Sequence, residues 1–312
     1  MRVLFAGTPA VAVPSLDRIA GEDGVADGSF ELVGVLTRPD APVGRKRVLT
    51  PSPVAVRAAE LGLPIVKATR ITAEVTSELA SLAPDVAAIV AFGGLVPPAA
   101  LEVPRRGWVN LHFSLLPAWR GAAPVQHSVI HGDDVVGAST FRLEEGLDTG
   151  PVYGTMAMTP RPDATAGELL AELAERGAGL LLRTLEGIED QSLVPRPQEG
   201  EPSYAPKLSL DDGRLDWRQP ARALDRRARG VTPEPGAWTV LAGQRFKLEP
   251  PRLRPDVEGL PSGVLSWDGK ALLVGTATHA LELVRVQPAG KKMMAAAEWA
   301  RGAWNAGGMR FE

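Results

Sequence analysis

Residues 110–126 read Asn110-Leu111-His112-Phe113-Ser114-Leu115-Leu116-Pro117-Ala118-Trp119-Arg120-Gly121-Ala122-Ala123-Pro124-Val125-Gln126. The stretch follows an apolar run, and its Asn110 and His112 stand two residues apart. Side chains at i and i+2 of a strand leave from one face, so an amide and an imidazole are predicted to point together above the strand's end. Ser114 continues that face if the strand persists, and Pro117 would stop it. Gly121 opens the next segment, where Ala122-Ala123-Pro124 suits the start of a helix packed close to a sheet.

A second short run, Gly146-Leu147-Asp148-Thr149-Gly150, sets a carboxylate between two glycines. That is the pattern of a tight loop fixing one side chain. An amide donor, an imidazole and a carboxylate together can run acyl-type transfer. The amide binds a developing oxyanion, the imidazole handles protons, and the carboxylate orients the imidazole and favours its charged form. By residue type alone His112 is either a satisfied structural histidine or that proton carrier. A Ser–His–Asp hydrolase on Ser114, His112 and Asp148 is the rival chemistry, but no serine lies in a G-x-S-x-G elbow.

Outward from these runs, strands and helices alternate. Arg2 to Ala6 is a short apolar strand ending in Gly7-Thr8-Pro9, without the G-x-G-x-x-G of a dinucleotide site. Phe30 to Thr37 is a second strand. Helices over Val54 to Gly62 and Thr72 to Ala83 flank a strand near Pro64 to Val66, and Asp85 to Phe92 is a central strand. Val135 to Leu143 and Val152 to Met158 follow, and a helix from about Ala164 to Ile188 closes the domain. This rhythm predicts an α/β doubly wound, mostly parallel sheet. Ligands of such sheets sit beyond the carboxyl ends of strands, where the Asn110 and Asp148 loops should lie.

Residues 38–53 form a long connection carrying Arg38, Arg45, Lys46 and Arg47. It reads either as a mobile solvated loop or as a basic finger that orders against phosphates. Pro195, Pro197, Gly200 and Pro202 mark 191–208 as a linker between a catalytic domain, 1–190, and a second domain, 209–312. There, Ala237 to Leu241, Arg245 to Leu248, Gly263 to Trp267, Ala271 to Gly275 and Ala280 to Val286 are strand candidates. A helix near Ala221 to Arg229 accompanies them, and the set suggests a small barrel.

The 312 residues are enough for two domains with a core each. Apolar content of 45% and charged content of 23% are ordinary for a soluble protein. With no cysteine, disulfide frameworks and thiolate metal sites are excluded. No secretory leader is read at the N-terminus, and Val86 to Leu101 is too short and too broken to span a bilayer, so cytoplasm is the expected location. Residues 1–208 carry 18 Lys and Arg against 25 Asp and Glu, while 209–312 carry 16 against 12. A mildly basic C-terminal part fits contact with a polyanion. Trp217, Trp238, Trp267, Trp299 and Trp304 all fall there; most are expected in the core, and one or two could stack on unpaired bases. His127 and His131 are four apart on a helix but lack the intervening Glu of H-E-x-x-H, so no metal is expected.

These blocks resemble the methionyl-tRNA formyltransferases, part of the larger group using N10-formyltetrahydrofolate. The likeness rests on Asn110-x-His112, on Ser114-Leu115-Leu116-Pro117-x-Trp119-Arg120-Gly121-Ala122-Ala123-Pro124-x-Gln126 and on Gly146-Leu147-Asp148-Thr149-Gly150. It extends through Ala6-Gly7-Thr8-Pro9, Pro51-Ser52-Pro53-Val54, Tyr204-Ala205-Pro206-Lys207-Leu208 and Gln287-Pro288-Ala289-Gly290-Lys291-Lys292-Met293, nearly the whole chain.

The resemblance implies a Rossmann-like formyltransferase domain followed by an OB-like barrel. It implies Asn110, His112 and Asp148 as catalytic residues, and Phe92, Gly93, Leu95 and Val96 with Ser114, Leu115, Leu116 and Pro117 as the folate slot. It implies N10-formyltetrahydrofolate as formyl donor, without a metal, and initiator methionyl-tRNA as acceptor. Arg45, Lys46 and Arg47 in the finger, with Lys291 and Lys292, would then meet the tRNA. Phe113 departs from the commonest family form, which has Gly there, and altered packing is expected. A monomer is expected. The rivals are a sugar-nucleotide formyltransferase, a glycinamide ribonucleotide formyltransferase (normally without a second domain), a formyltetrahydrofolate hydrolase and a non-catalytic tRNA-binding protein.

Overall fold

Near-continuous apolar runs are buried on both faces, as strands of a parallel sheet must be. A computed structural model describes residues 1–21, 30–44, 47–304 and 308–312. In it, β1 (Arg2–Gly7) is buried from Val3 onward. After α1 (Val13–Ala20) come β2 (Glu31–Thr37), the short strands β3 (Ala41–Val43) and β4 (Val48–Thr50), α2 (Pro53–Glu60) and β5 (Ile65–Lys67). Next are α3 (Ala73–Ser81), the fully buried β6 (Val86–Val90), the one-turn α4 (Pro98–Leu101) and β7 (Trp108–His112). Then come α5 (Pro124–His131), β8 (Val136–Arg142), β9 (Val152–Met158) and the 24-residue α6 (Ala166–Glu189).

The seven-stranded sheet runs β5-β2-β1-β6-β7-β8-β9. Its first five strands are parallel, and β8 and β9 are antiparallel to their neighbours. For β8 and β9 the direction has a simple cause: only residues 143–151 separate them, and a parallel return needs a crossover of a dozen residues or more. Strand order reverses at β1, whose neighbours are β2 and β6, which opens a crevice beyond the C-terminal ends of β1, β6 and β7. Local signals start the helices. Ser52 accepts the N–H of Ala55 at 3.0 Å and Pro53 takes the first helical position, so Ser52→Ala would cost about 1 kcal/mol at the start of α2.

The 38–53 connection is not without structure. Its arms pair as an antiparallel hairpin with Ala41 opposite Thr50 and Val43 opposite Val48. Arg45 and Lys46 lie outside the described residues. Arg47 is exposed.

By contact density one compact unit comprises Met1–Gly121, Val135–Thr159 and Leu170–Tyr204; the other comprises Ala122–Asp134, Pro160–Leu169 and Ala205–Glu312. In the second unit α5 packs on α7 (Ala221–Gly230), and a side chain at Gly230 would stand 2.4 Å from Ile130 Cγ1. Eight strands follow: β10 (Ala237–Leu241), β11 (Gln244–Leu248), β12 (Arg252–Glu258), β13 (Leu265–Trp267), β14 (Leu272–Val274), β15 (His279–Leu283), β16 (Arg285–Gln287) and β17 (Met294–Ala295). They form two four-stranded antiparallel sheets, β10-β11-β16-β17 and β12-β15-β14-β13, around one apolar core. The helix α8 (Ala296–Ala303) completes it.

Three elements here escaped the sequence pattern: β12, the two-residue β17 and α8; β15 and β16 were also expected as one strand, Ala280 to Val286. Pro255 hides β12, which tolerates it because that strand is at a sheet edge and its register slips between Arg254 and Glu258. The amphipathic α8 was also not expected. The tryptophans are mainly structural: Trp217 stacks on Phe311 at 5.3 Å and donates Nε1–H to Thr239 Oγ1 at 2.9 Å. Trp238 is buried under Arg214 and Arg245, while Trp267, Trp299 and Trp304 pack against the core half-buried.

Candidate active site

β7 carries Asn110 and His112 on one face by strand alternation, while Leu111 turns to the other face and meets Gly177 of α6. The strand ends at His112, so Ser114 does not extend that face. Its hydroxyl instead donates to the Ala118 carbonyl at 2.6 Å, inside a buried turn. Ser139 of β8 holds this turn from below: its hydroxyl donates to the Ser114 carbonyl at 2.7 Å and accepts the Leu116 N–H at 3.1 Å. Ser114 is thus a turn former and presents no nucleophile.

His112 is 7% exposed. Nε2 stands 2.9 Å from the Trp119 carbonyl, an acceptor only, so Nε2 carries the proton. Nδ1 then faces Asp148 Oδ2 at 3.8 Å, beyond hydrogen-bond range. The orienting bond therefore comes from Trp119, and the carboxylate is placed to meet a charge that arrives at Nδ1. The Phe141 ring braces the imidazole edge-on, 6.3 Å between centroids.

Asp148 is fixed from outside its own loop. Oδ2 accepts the Gly121 N–H at 2.7 Å, and Gln198 Nε2 donates to the carbonyls of Asp148 and Gly150, each at 2.8 Å. Gly150 is required there, because a Cβ would fall 1.8 Å from the Arg142 carbonyl oxygen. Among the described residues seven non-glycines have positive φ, and three of them, Ala91, Trp119 and Asp148, lie beyond the ends of β6, β7 and β8. Each costs about 1–2 kcal/mol, and such strain gathers at functional sites.

The Phe92–Val96 loop follows β6. The Phe92 ring is buried in the core, leaving its main chain for binding; its carbonyl accepts the Thr8 hydroxyl at 2.8 Å. The Gly93 carbonyl accepts from Arg38 at 2.6 Å, Leu95 is 90% exposed, and Val96 packs half-buried on the core. Leu116 lines a cleft of about 710 Å³ beside β9, and the Pro117 carbonyl accepts the Ser203 N–H at 3.3 Å. Phe113 is buried.

Lys291 and Lys292 are exposed in the β16–β17 turn of the second unit. His127 and His131 bond the carbonyls of Pro206 and His127, each at 2.9 Å. Among the described residues no three His, Cys, Asp or Glu side chains gather as a metal site, and no helix is long and apolar enough to cross a membrane. Sequence reasoning missed the Trp119 carbonyl, the Gly121 N–H, Arg120 and Gln198. Main-chain groups carry no residue-type signal, and Gln198 lies far from the motifs in sequence.

Two parts of the chain match known families: residues 1–185 match the family described as formyl transferase, and residues 207–303 match its C-terminal domain. The chain belongs to the formyl transferase family. A formyl transferase relative from Paenarthrobacter aurescens (strain TC1), named methionyl-tRNA formyltransferase, is 68% identical over 302 residues, 97% of each chain. In solved structures the fold is shared with methionyl-tRNA formyltransferase from Clostridium thermocellum, at TM-score 0.57, 14% identity and coverage of 81% of this chain and 94% of that one. It is also shared with an N-formyltransferase from Helicobacter canadensis, at TM-score 0.68, 16% identity and coverage of 92% and 98%.

Proposed function

We propose that the chain transfers the formyl group of N10-formyltetrahydrofolate to the α-amino group of methionine on initiator methionyl-tRNA. The carrying observation is an imidazole fixed at Nε2 by Trp119 and facing Asp148 at Nδ1, with Asn110 on the same strand face. The relative from Paenarthrobacter aurescens, 68% identical over 97% of the chain, supports the acceptor.

The neutral amine attacks the formyl carbon. Asn110 donates to the oxyanion of the tetrahedral intermediate, a contact worth roughly 3 kcal/mol. The C–N10 bond then breaks, N10 gains a proton and the amine loses one. His112 carries a proton through Nδ1, and Asp148 offsets its charge and assists the transfer. Holding amine and formyl in line supplies much of the remaining acceleration. The folate is the formyl donor. The main chain of Phe92 and Gly93, the apolar Leu95 and Val96, and the turn Ser114, Leu115, Leu116 and Pro117 would hold its flat ring. A leucine exposed to 90% beyond the central strand suits such a ring.

In this reading 1–190 is the catalytic domain, 191–208 the linker and 209–312 a tRNA-contacting domain. Arg45, Lys46, Arg47, Lys291 and Lys292 meet phosphates. One chain supplies Asn110, His112 and Asp148, which supports a monomer, acting in the cytoplasm.

The second reading is a sugar-nucleotide formyltransferase, since the Helicobacter canadensis structure, solved with folinic acid and dTDP-3-aminofucose, shares the fold. Incubation with N10-formyltetrahydrofolate and methionyl initiator tRNA should give formyl-methionine in excess of hydrolysis. Formylation of a nucleotide amino sugar with none of the tRNA would give the answer to the second reading.

A further inference from the structure

The stretch after α6, which composition marks as a linker, is bonded to both loops of the candidate site. Arg196 and Val152 exchange main-chain bonds, at 2.7 Å from the Val152 N–H and 2.8 Å from the Arg196 N–H. Further along, Ser203 takes the Arg120 N–H on its carbonyl at 2.8 Å and the Trp119 N–H on its hydroxyl at 2.9 Å. The peptide joining Trp119 to Arg120 therefore faces two ways: its carbonyl holds His112, and its N–H is held by Ser203.

Between these anchors stands Gln198, half-buried among exposed neighbours. Its carboxamide is fully used. Nε2 donates to the carbonyls of Asp148 and Gly150 at 2.8 Å each, and Oε1 accepts from Arg120 Nε at 3.2 Å and Nη2 at 2.7 Å. Two carbonyls on one side and a guanidinium on the other permit a single orientation of the amide. Asp148 has φ of 51°, a left-handed conformation that Asp tolerates better than most side chains and that its bonds to Gly121 and Gln198 hold in place. Gln198 is the side chain that reaches both the peptide setting Asp148 and the residue next to the carbonyl setting His112.

We propose that Gln198 is a positioning residue for the His112–Asp148 pair, and that 196–204 is a strap setting the spacing of the two groups. The inference rests on the formyl-transfer reading for its kinetic test. Gln198 touches no reacting atom; it acts through Asp148, so its effect should vanish where Asp148 can no longer act.

Gln198→Leu should lower kcat roughly 10- to 100-fold, with KM for N10-formyltetrahydrofolate and for methionyl-tRNA within about twofold. In an Asp148→Asn background the same change should lower kcat by less than about threefold. Gln198→Glu keeps the size and the contact with Arg120 but turns lone pairs onto two carbonyls, so it should behave as Gln198→Leu does.

The second readout needs no substrate. The chain has four histidines, so the His112 ring resonances can be assigned by their loss in His112→Gln. They should shift or broaden in Gln198→Glu while those of the other three stay in place. Near-wild-type kcat in both Gln198 variants, losses that multiply in the double variant, or unmoved His112 resonances would each overturn the proposal. A wild-type chain that formylates no tRNA would instead remove the formyl-transfer reading, and the resonance measurement would then decide the positioning role by itself.

Discussion

His112 donates Nε2–H to the main-chain carbonyl of Trp119 at 2.9 Å, and that bond leaves Nδ1 as the nitrogen turned toward Asp148. A glutamine amide can reach the same carbonyl but carries no proton between substrates. His112→Gln should therefore keep its thermal midpoint within a degree or two while kcat falls roughly 10²- to 10⁴-fold. Steady-state kinetics beside a melting curve checks both halves, and a matching loss of stability would mean that the imidazole is structural.

Asn110→Ala removes the proposed oxyanion donor from a half-buried position on β7. Turnover should fall roughly 10²- to 10³-fold, with little change in tRNA affinity. A gel-shift titration beside initial rates separates the two quantities. Loss of affinity with retained kcat would place Asn110 in binding.

Two glycines of one loop should respond differently to alanine. A Cβ at Gly150 would fall 1.8 Å from the Arg142 carbonyl, which is main chain and cannot step aside without moving β8. At Gly146 the nearest atom is the Thr149 hydroxyl, 2.2 Å away, and a side chain can rotate. Gly150→Ala should displace Asp148 and cost about 10²-fold in kcat, by the usual sensitivity to misplacement near 1 Å. Gly146→Ala should cost clearly less. Equal losses in the two variants would contradict the steric account.

Asp85 should set part of the acid limb of stability. Its carboxylate takes the Arg2 N–H at 2.9 Å and is paired with Arg105; these bonds hold its pKa below the ordinary carboxylate value. A lowered folded-state pKa gives stability that is present above the unfolded-state value and lost as pH falls through the folded-state value. With the side chain 17% exposed, Asp85→Asn should be less stable by about 1 kcal/mol at pH 7, with the gap closing in acid. Melting midpoints from pH 7 to 3 test the sign, and a gap that widened in acid would reverse it.

In sequence, Arg45, Lys46 and Arg47 fall between β3 and β4. Arg45→Ala should weaken tRNA binding and reduce the slope of log affinity against log salt by about one. Filter binding at several ionic strengths measures that slope. An unchanged slope would take Arg45 out of the interface.

Much of the fold was legible because burial on both faces leaves a continuous apolar signature. Val86–Val90 and Glu31–Thr37 were read as strands for that reason, while the helix expected from Val54 starts one residue earlier, at Pro53 behind the Ser52 cap. Direction was not read from the sequence: β8 and β9 pair antiparallel, and the short 143–151 connection is the feature that betrays their hairpin. In the second unit β12 was lost because its Pro255 reads as a breaker wherever edge position is unknown.

The chain's order of residues by itself determined that Asn110 and His112 share a face, since alternation along a strand is a local property of the backbone. It determined too that Asp148 lies in a tight glycine-bounded loop. Only the tertiary structure decided which nitrogen of His112 faces Asp148, and that Gly121 and Gln198 hold the loop carrying it. Those choices are made by main-chain carbonyls and N–H groups brought together from distant positions, and every residue type carries the same ones.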